Sequence, residues 1–129
     1  MDAARILIVD DERDAGDILC LRLARRGMLP HSVASGQAAL DWLADNSADL
    51  VLLDIKMPGM DGLEVLDYIR RLYPQLPVII LSGHANMGDA AKGMELGAFF
   101  YLLKPVNLEE LCYKIEDALH LADLRGGTG

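Results

Sequence analysis

The sequence predicts a doubly wound α/β domain with five parallel strands. Short apolar runs alternate with longer stretches of helical periodicity along the 129 residues. Four of the runs are continuously apolar rather than alternating with polar residues, as strands covered on both faces are. Five strand–helix units in this order, joined by short loops, favour a parallel sheet with right-handed crossovers. A hydrophobic fraction of 52% in a chain of this length is enough for one domain with its own core.

Five strands are predicted. The four strong runs, which we expect to be buried on both faces, cover residues 6–9, 50–53, 78–81 and 99–103. The run 29–33 is weaker and includes Pro30 and His31. Because proline cannot donate a hydrogen bond to a sheet ladder, this segment is predicted to be an exposed edge strand.

Five helices are predicted between and after the strands, over residues 13–26, 37–45, 63–72 and 87–96 and from Asn107 onward. Gly27 and Gly97 follow the first and fourth helices, where glycine commonly ends a helix. Asn107 and Glu110 form a variant of the capping box at the start of the last helix. That helix is predicted to place one apolar face on the sheet, formed by Leu108, Leu111, Cys112, Ile115, Leu119 and Ala122.

The fourth predicted helix contains two glycines, Gly88 and Gly93. Each lowers helix stability by roughly 1 kcal/mol relative to alanine. Two interpretations remain open: the helix is poised to shift or fray, or its small residues permit close packing on the sheet.

The composition excludes several classes of function. A formal charge of −8, with scattered basic residues, argues against direct binding of nucleic acid. Cys20 and Cys112 fall inside amphipathic stretches without metal-ligand spacing, so reduced, buried thiols are expected. The first strand follows the amino terminus too closely for a signal peptide, and no apolar run approaches transmembrane length. These observations predict a cytoplasmic protein.

Charged and polar residues close the predicted strands. Asp10 and Asp11 follow the first strand, Asp54 the third, Ser82 the fourth and Lys104 the fifth. In a parallel sheet these ends meet at one edge, where ligands of such folds bind. Carboxylates about 4 Å apart at an effective dielectric of ~20 repel by roughly 4 kcal/mol per pair. Oxygen ligands of this kind suit Mg²⁺, so the sequence predicts a magnesium site there.

The segment 54–62, Asp-Ile-Lys-Met-Pro-Gly-Met-Asp-Gly, resembles the phosphoacceptor loop of bacterial response-regulator receiver domains. The resemblance extends over the whole domain, through the acidic pair after strand one, Ser82, and Lys104 with Pro105. It implies a flavodoxin-like fold with strand order 2-1-3-4-5. We expect the receiver domain to occupy residues 1–124, and residues 125–129 to form a flexible tail or linker stub.

The resemblance implies a role for each acidic residue. Asp54 would accept a phosphoryl group from the phosphohistidine of a histidine kinase. Asp11 and Asp54 would bind Mg²⁺ directly, the backbone carbonyl of Lys56 would be a third ligand, and Asp10 would act through water.

The resemblance also implies the remaining site and switch residues. Ser82 and Lys104 would hold the phosphoryl oxygens, and the bond between Lys104 and Pro105 would be cis. Tyr101 matches the aromatic residue that turns inward as Ser82 moves, although ordinary packing would also explain an aromatic residue there.

The function implied is a phosphorylation-activated signalling switch. Phosphorylation would change the surface of the fourth helix, fifth strand and fifth helix and so control an output domain or partner. The expected partners are a sensor histidine kinase or phosphotransfer protein and an effector, without nucleic acid or membrane contact; a homodimer is left open. The domain would catalyse its own phosphoryl uptake and slow hydrolysis and would not be a turnover enzyme.

Two other classes share this architecture. A flavodoxin-type or Rossmann cofactor domain receives phosphate on a glycine-rich loop after strand one, whereas this chain has Asp10, Asp11 and Glu12 there, which repel phosphate. A magnesium phosphatase of the dehalogenase type needs a second carboxylate two residues after the nucleophile, and Lys56 occupies that position.

A third alternative is a degenerate receiver that serves only as a protein-binding module. All the expected site residues are present, which disfavours it. Incubation with Mg²⁺ and acetyl phosphate separates this alternative from an active receiver.

Overall fold

The computed structural model describes residues 3–55, 62–83 and 87–126. Strands and helices alternate along the chain, as predicted from the sequence. Their bounds are β1 (Arg5–Val9), α1 (Arg13–Arg25), β2 (Leu29–Val33), α2 (Gly36–Asp45), β3 (Leu50–Asp54), α3 (Gly62–Leu72), β4 (Val78–Ser82), α4 (Met87–Glu95), β5 (Phe100–Leu103) and α5 (Leu108–Gly126).

The five strands form one parallel sheet in the order β2-β1-β3-β4-β5, which confirms the predicted fold class. All residues of the central strands β3 and β4 are buried. By contrast, β2 lies at an edge and is only partly buried, as Pro30 and His31 predicted. The prediction that the run 99–103 is buried on both faces is wrong, because β5 forms the other edge of the sheet and only Leu102 in it is buried.

Each face of the sheet carries its own apolar core. Alternate residues of one strand point to opposite faces, which explains the continuous apolar runs. On one face β1 and β3 contribute Leu7, Val9, Val51 and Leu53, and α2 and α3 pack against them. On the other face Leu23 of α1 lies with four buried residues of α5, namely Leu111, Cys112, Ile115 and Ala118. Most of the predicted apolar face of the last helix is confirmed, with Leu108 and Leu119 packed against this cluster. Ala118, which was not predicted, takes a buried position, whereas Ala122 is only half-buried.

Local signals fix several helix ends. Ser35 Oγ accepts a hydrogen bond of 3.0 Å from Ala38 N–H at the start of α2. Asn107 Oδ1 accepts one of 2.9 Å from Glu110 N–H at the start of α5. Gly97, with φ of 102°, follows α4 in a conformation that residues with a side chain rarely adopt. The cap at Asn107 was predicted, whereas the sequence placed the start of α2 one residue late.

Candidate metal centre

The parallel register brings the predicted site residues to the carboxyl edge of the sheet. Val9 pairs with Leu53, so Asp10 after β1 and Asp54 at the end of β3 lie on adjacent strands. Ser82 ends β4 opposite Leu103 of β5, directly before Lys104. The backbone N–H of Lys104 donates to the carbonyl oxygen of Ser82 at 2.7 Å.

Lys104 connects two of the aspartates. Its Nζ donates to Asp10 Oδ2 at 2.8 Å and to Asp54 Oδ2 at 3.1 Å. The side chains of Asp10 and Asp54 are each only 8% exposed, and that of Lys104 is 25% exposed. One ammonium therefore ties the ends of β1, β3 and β5 together in a poorly solvated place.

The protonation of Lys104 reflects these contacts. Burial of the ammonium favours the neutral form and would by itself lower the pKa. The hydrogen bonds to Asp10 and Asp54, together with their negative charges, outweigh burial and raise the pKa of Lys104 above its ordinary value. Lys104 is thus a fixed positive charge at neutral pH.

Both carboxylate oxygens of Asp10 accept a hydrogen bond. Oδ1 accepts a hydrogen bond of 2.9 Å from the backbone N–H of Glu12, while Oδ2 accepts the one from Lys104. The backbone N–H of Asp10 donates to the carbonyl oxygen of Val33 at 3.1 Å. These contacts fix the orientation of the carboxylate and the path of the chain into α1.

Three carboxylates converge beside Lys104. One oxygen each from Asp10, Asp11 and Asp54 can be chosen so that all three lie within 4.8 Å of one another. At an effective dielectric of ~20, each such pair of charges repels by about 3–4 kcal/mol. Among the residues that the structure describes, one ammonium faces three carboxylates, so this part of the site has a net negative charge. A hard cation with oxygen ligands fits this donor set.

The other predicted site residues lie close by. Ser82 is 1% exposed, at the end of β4. Tyr101 is half-buried on β5 and pairs in register with Ile80 of β4. The peptide bond between Lys104 and Pro105 is cis, as the resemblance implied.

Residues 56–61, which follow Asp54 and Ile55, lie outside the described residues. This applies to Lys56, whose backbone carbonyl was predicted as a metal ligand, and to the rest of the resembling segment up to residue 61. Beyond the gap, α3 begins at Gly62, where an added Cβ would overlap the backbone of Ile55. The two ends of the segment are therefore so close that only glycine fits at the start of α3.

Comparison with known families identifies the class of protein. Residues 6–116 match the family model of the response regulator receiver domain. The chain belongs to this family. Receiver domains are signalling switches of two-component systems rather than turnover enzymes.

Curated relatives have the same domain in longer chains. The chain is 38% identical over 121 residues to the regulatory protein AtoC of Escherichia coli, covering 94% of this chain and 26% of AtoC. It is 37% identical over 120 residues to the DNA-binding transcriptional regulator NtrC of Azospirillum brasilense, covering 93% of this chain and 25% of NtrC. The chain thus spans about a quarter of the length of these relatives.

Solved structures give the same result. The CheY-like receiver domain protein of Methanospirillum hungatei superimposes with a TM-score of 0.92 at 31% identity, covering 96% of this chain and 99% of that one. NtrX of Brucella abortus superimposes with a TM-score of 0.90 at 36% identity, covering 95% of this chain and 28% of that one. Within residues 3–55, 62–83 and 87–126, no helix is long and apolar enough to cross a membrane.

Proposed function

We propose that this domain is a switch that is turned on when Asp54 accepts a phosphoryl group in the presence of Mg²⁺. The observation that carries the proposal is the buried contact of Lys104 with Asp10 and Asp54, beside a three-carboxylate cluster. The donor would be the phosphohistidine of a sensor histidine kinase or a phosphotransfer protein. The cytoplasm is the compartment in which we place this exchange.

The three carboxylates would have different roles in metal binding. We assign Asp11 and Asp54 as direct ligands of Mg²⁺, with the backbone carbonyl of Lys56 as a third. The assignment of Asp10 as a ligand through water is supported by its two existing contacts, to Glu12 N–H and to Lys104. When bound, the ion neutralises charge on the phosphoryl oxygens and brings them close to the acceptor.

Transfer needs only one bond formed and one broken. A carboxylate oxygen of Asp54 attacks phosphorus, the bond from phosphorus to the histidine nitrogen breaks, and that nitrogen keeps the electron pair. Lys104 Nζ, already 3.1 Å from Asp54 Oδ2, passes to an oxygen of the incoming phosphoryl group. Its raised pKa keeps it charged for this role. Hydrolysis of the aspartyl phosphate by water would reset the switch slowly.

Phosphorylation would then be transmitted through Ser82 and Tyr101. The phosphoryl group adds about −1.5 to −2 charges, and the hydroxyl of Ser82 moves to hydrogen-bond with one of its oxygens. A shift from 1:99 to 99:1 needs roughly 5.5 kcal/mol of differential stabilisation. Charge-assisted hydrogen bonds of about 1.5–3 kcal/mol each supply this with a few contacts.

The output would be a changed surface on α4, β5 and α5. Tyr101 on β5 would turn inward into the space that the loop after Ser82 leaves. An effector domain or a partner protein would recognise the altered surface. The regulators AtoC and NtrC, which contain the same domain in a longer chain, support an output of this kind.

Acetyl phosphate labelling tests the proposal. The protein is incubated with acetyl phosphate and Mg²⁺, and intact mass is measured for the wild type and for Asp54→Asn. We expect the wild type to gain one phosphoryl group and the variant to gain none. Labelling of Asp54→Asn to the same extent, or no labelling of the wild type, contradicts the proposal. Asp14→Asn, an exposed acidic residue of α1, is the matched control and should be labelled normally.

A further inference from the structure

The inward face of α4 contains no large side chain among the positions described. From residue 88 to residue 95, Gly93 is the one buried position, and Asp89 and Ala90 are half-buried. The rest of that stretch is exposed, including Gly88. The helix therefore approaches the sheet through a glycine.

A side chain of the sheet fills the space beside Gly93. A Cβ added to Gly93 would overlap Cδ1 of Ile80, which belongs to β4. Its next neighbours would be Ile80 Cγ1 and Leu63 Cδ2, each at 3.8 Å. Glycine is less favourable than alanine inside a helix, so this position is explained by close approach and not by helix stability. The methyl group of Ile80 thus sits in a notch on α4, which we call the Gly93 notch.

Ile80 is a neighbour of both predicted switch residues, Ser82 and Tyr101, in the sheet. It is fully buried, lies two residues before Ser82 on β4, and pairs in register with Tyr101 of β5. Ile80 and Tyr101 belong to the same apolar cluster, on the face of the sheet that carries α3. A movement of α4 relative to β4 must therefore change the contact in the notch.

We propose that Gly93 is a positioning residue: the Gly93 notch seats α4 on Ile80 while Lys104 contacts Asp10 and Asp54, as in this structure, and α4 leaves this seat when the domain is activated. The proposal rests on the proposed function, because it assigns a contact to one of the two states of that switch. A ligand shifts such an equilibrium only by its differential affinity for the two states. A substitution that weakens the seat therefore favours the activated state before any phosphoryl group arrives.

Two single substitutions damage the seat from opposite sides. Gly93→Ala adds a methyl group where the methyl of Ile80 lies, and Ile80→Val removes that methyl group and leaves a void. In the double variant, the new methyl group occupies the space that the old one vacates. The double variant should therefore restore the seat, which independent effects on stability would not do.

The test is a titration with beryllofluoride, a phosphoryl mimic, in the presence of Mg²⁺. We expect each single variant to bind the mimic about fivefold more tightly or better, the lower end of the usual range of coupling between sites. The double variant should return to within about twofold of the wild type, well below that coupling range. Gly88→Ala, which adds a methyl group to α4 at an exposed position, should leave the affinity unchanged.

Amide hydrogen exchange without the mimic gives a second readout. Amides of α4 should exchange faster in Gly93→Ala than in the wild type, although alanine is the better helix former. The double variant should exchange at the wild-type rate. If Gly93→Ala does not fold, Ile80→Val tests the seat alone.

The outcomes separate the two proposals. If the wild type does not bind beryllofluoride, the proposed function fails and this inference fails with it. If the wild type binds but both single variants bind equally or more weakly, only the inference about Gly93 is overturned. A double variant that shows the sum of the two single effects also overturns it.

Discussion

Ion pairs lie at both ends of the parallel strands, the amino edge and the carboxyl edge of the sheet. The two groups of charges differ in solvent exposure and in net charge. At the amino edge, Arg5 Nε lies 3.5 Å from Asp49 Oδ2, with side chains 51% and 38% exposed. The backbone N–H of Arg5 also donates to the same oxygen at 2.7 Å. At the carboxyl edge, Lys104 meets Asp10 and Asp54 at shorter distances and with little exposure.

The difference shows which of the two edges has an arrangement of charges that folding alone does not require. Water screens the charges of Arg5 and Asp49, and the two charges cancel. The pair therefore changes the free energy of unfolding little. At the carboxyl edge, the described residues place one ammonium against three carboxylates, and low solvation strengthens the repulsion between the carboxylates. A fold does not need that imbalance. We attribute it to the metal and phosphoryl chemistry that the same residues would perform.

Of the substitutions that compare the two edges, Asp11→Asn should have the largest effect, and this effect is on Mg²⁺ binding. Removing a direct ligand should weaken Mg²⁺ binding by about 100-fold or more, above the range for outer-shell partners. Because the repulsion of Asp11 by Asp10 and Asp54 is lost, the free energy of unfolding without metal should rise. Calorimetry and urea unfolding measure the two quantities. A variant with unchanged Mg²⁺ affinity would remove Asp11 from the ligand set.

Lys104→Met should have the next largest effect. It leaves Asp10 and Asp54 without their shared cation, so the free energy of unfolding without metal should fall by about 1–3 kcal/mol. Saturating Mg²⁺ should recover part of this loss, because the ion replaces the missing positive charge. Lys92→Met, at an exposed position of α4, is the matched control and should change the stability little.

The pH dependence of the Lys104 effect has a definite sign. The pKa of Lys104 is raised above its ordinary value of 10.5 in the folded state. Its contribution to stability is therefore fully present below the unfolded pKa and is lost as pH rises through the folded one. The difference between wild type and Lys104→Met should stay constant from about pH 8 to 9, where the carboxylates and the ammonium are all charged. If the difference in stability between the two proteins disappears in this pH range, Lys104 is not the charged partner of Asp10 and Asp54 that we describe.

Arg5→Met should show the smallest effect. Exposed ion pairs contribute about 0–1 kcal/mol, and the stability should change within that range. Binding of Mg²⁺ should not change, since Arg5 lies at the opposite edge of the sheet. A loss of stability as large as that of Lys104→Met would mean that the two edges do not differ as we describe.

Much of this architecture follows from the sequence because apolar periodicity reports burial. The runs at 50–53 and 78–81 are apolar throughout, and the structure buries both strands completely. The carboxyl-edge placement of Asp10, Asp54 and Lys104 follows from parallel pairing alone.

Details that depend on side-chain direction did not follow from the sequence. Pattern alone does not show that Lys104 contacts two aspartates, because this requires the relative positions of three strand ends. Nor does it show which glycine of α4 faces the sheet: Gly93 is buried against Ile80, whereas Gly88 is exposed. The apolar pattern put the start of α2 at Gln37, whereas Ser35, a common N-cap residue, caps a helix that begins at Gly36.

The most direct test of the account is the dependence of stability on Mg²⁺. Urea unfolding of the wild type and of Asp11→Asn is measured with and without the ion. We predict that the wild type gains about 2.7 kcal/mol when free Mg²⁺ is 100 times its dissociation constant, and that the variant gains little at the same concentration. A wild type whose stability does not respond to Mg²⁺, or a variant that gains as much, would contradict a metal centre at the carboxyl edge.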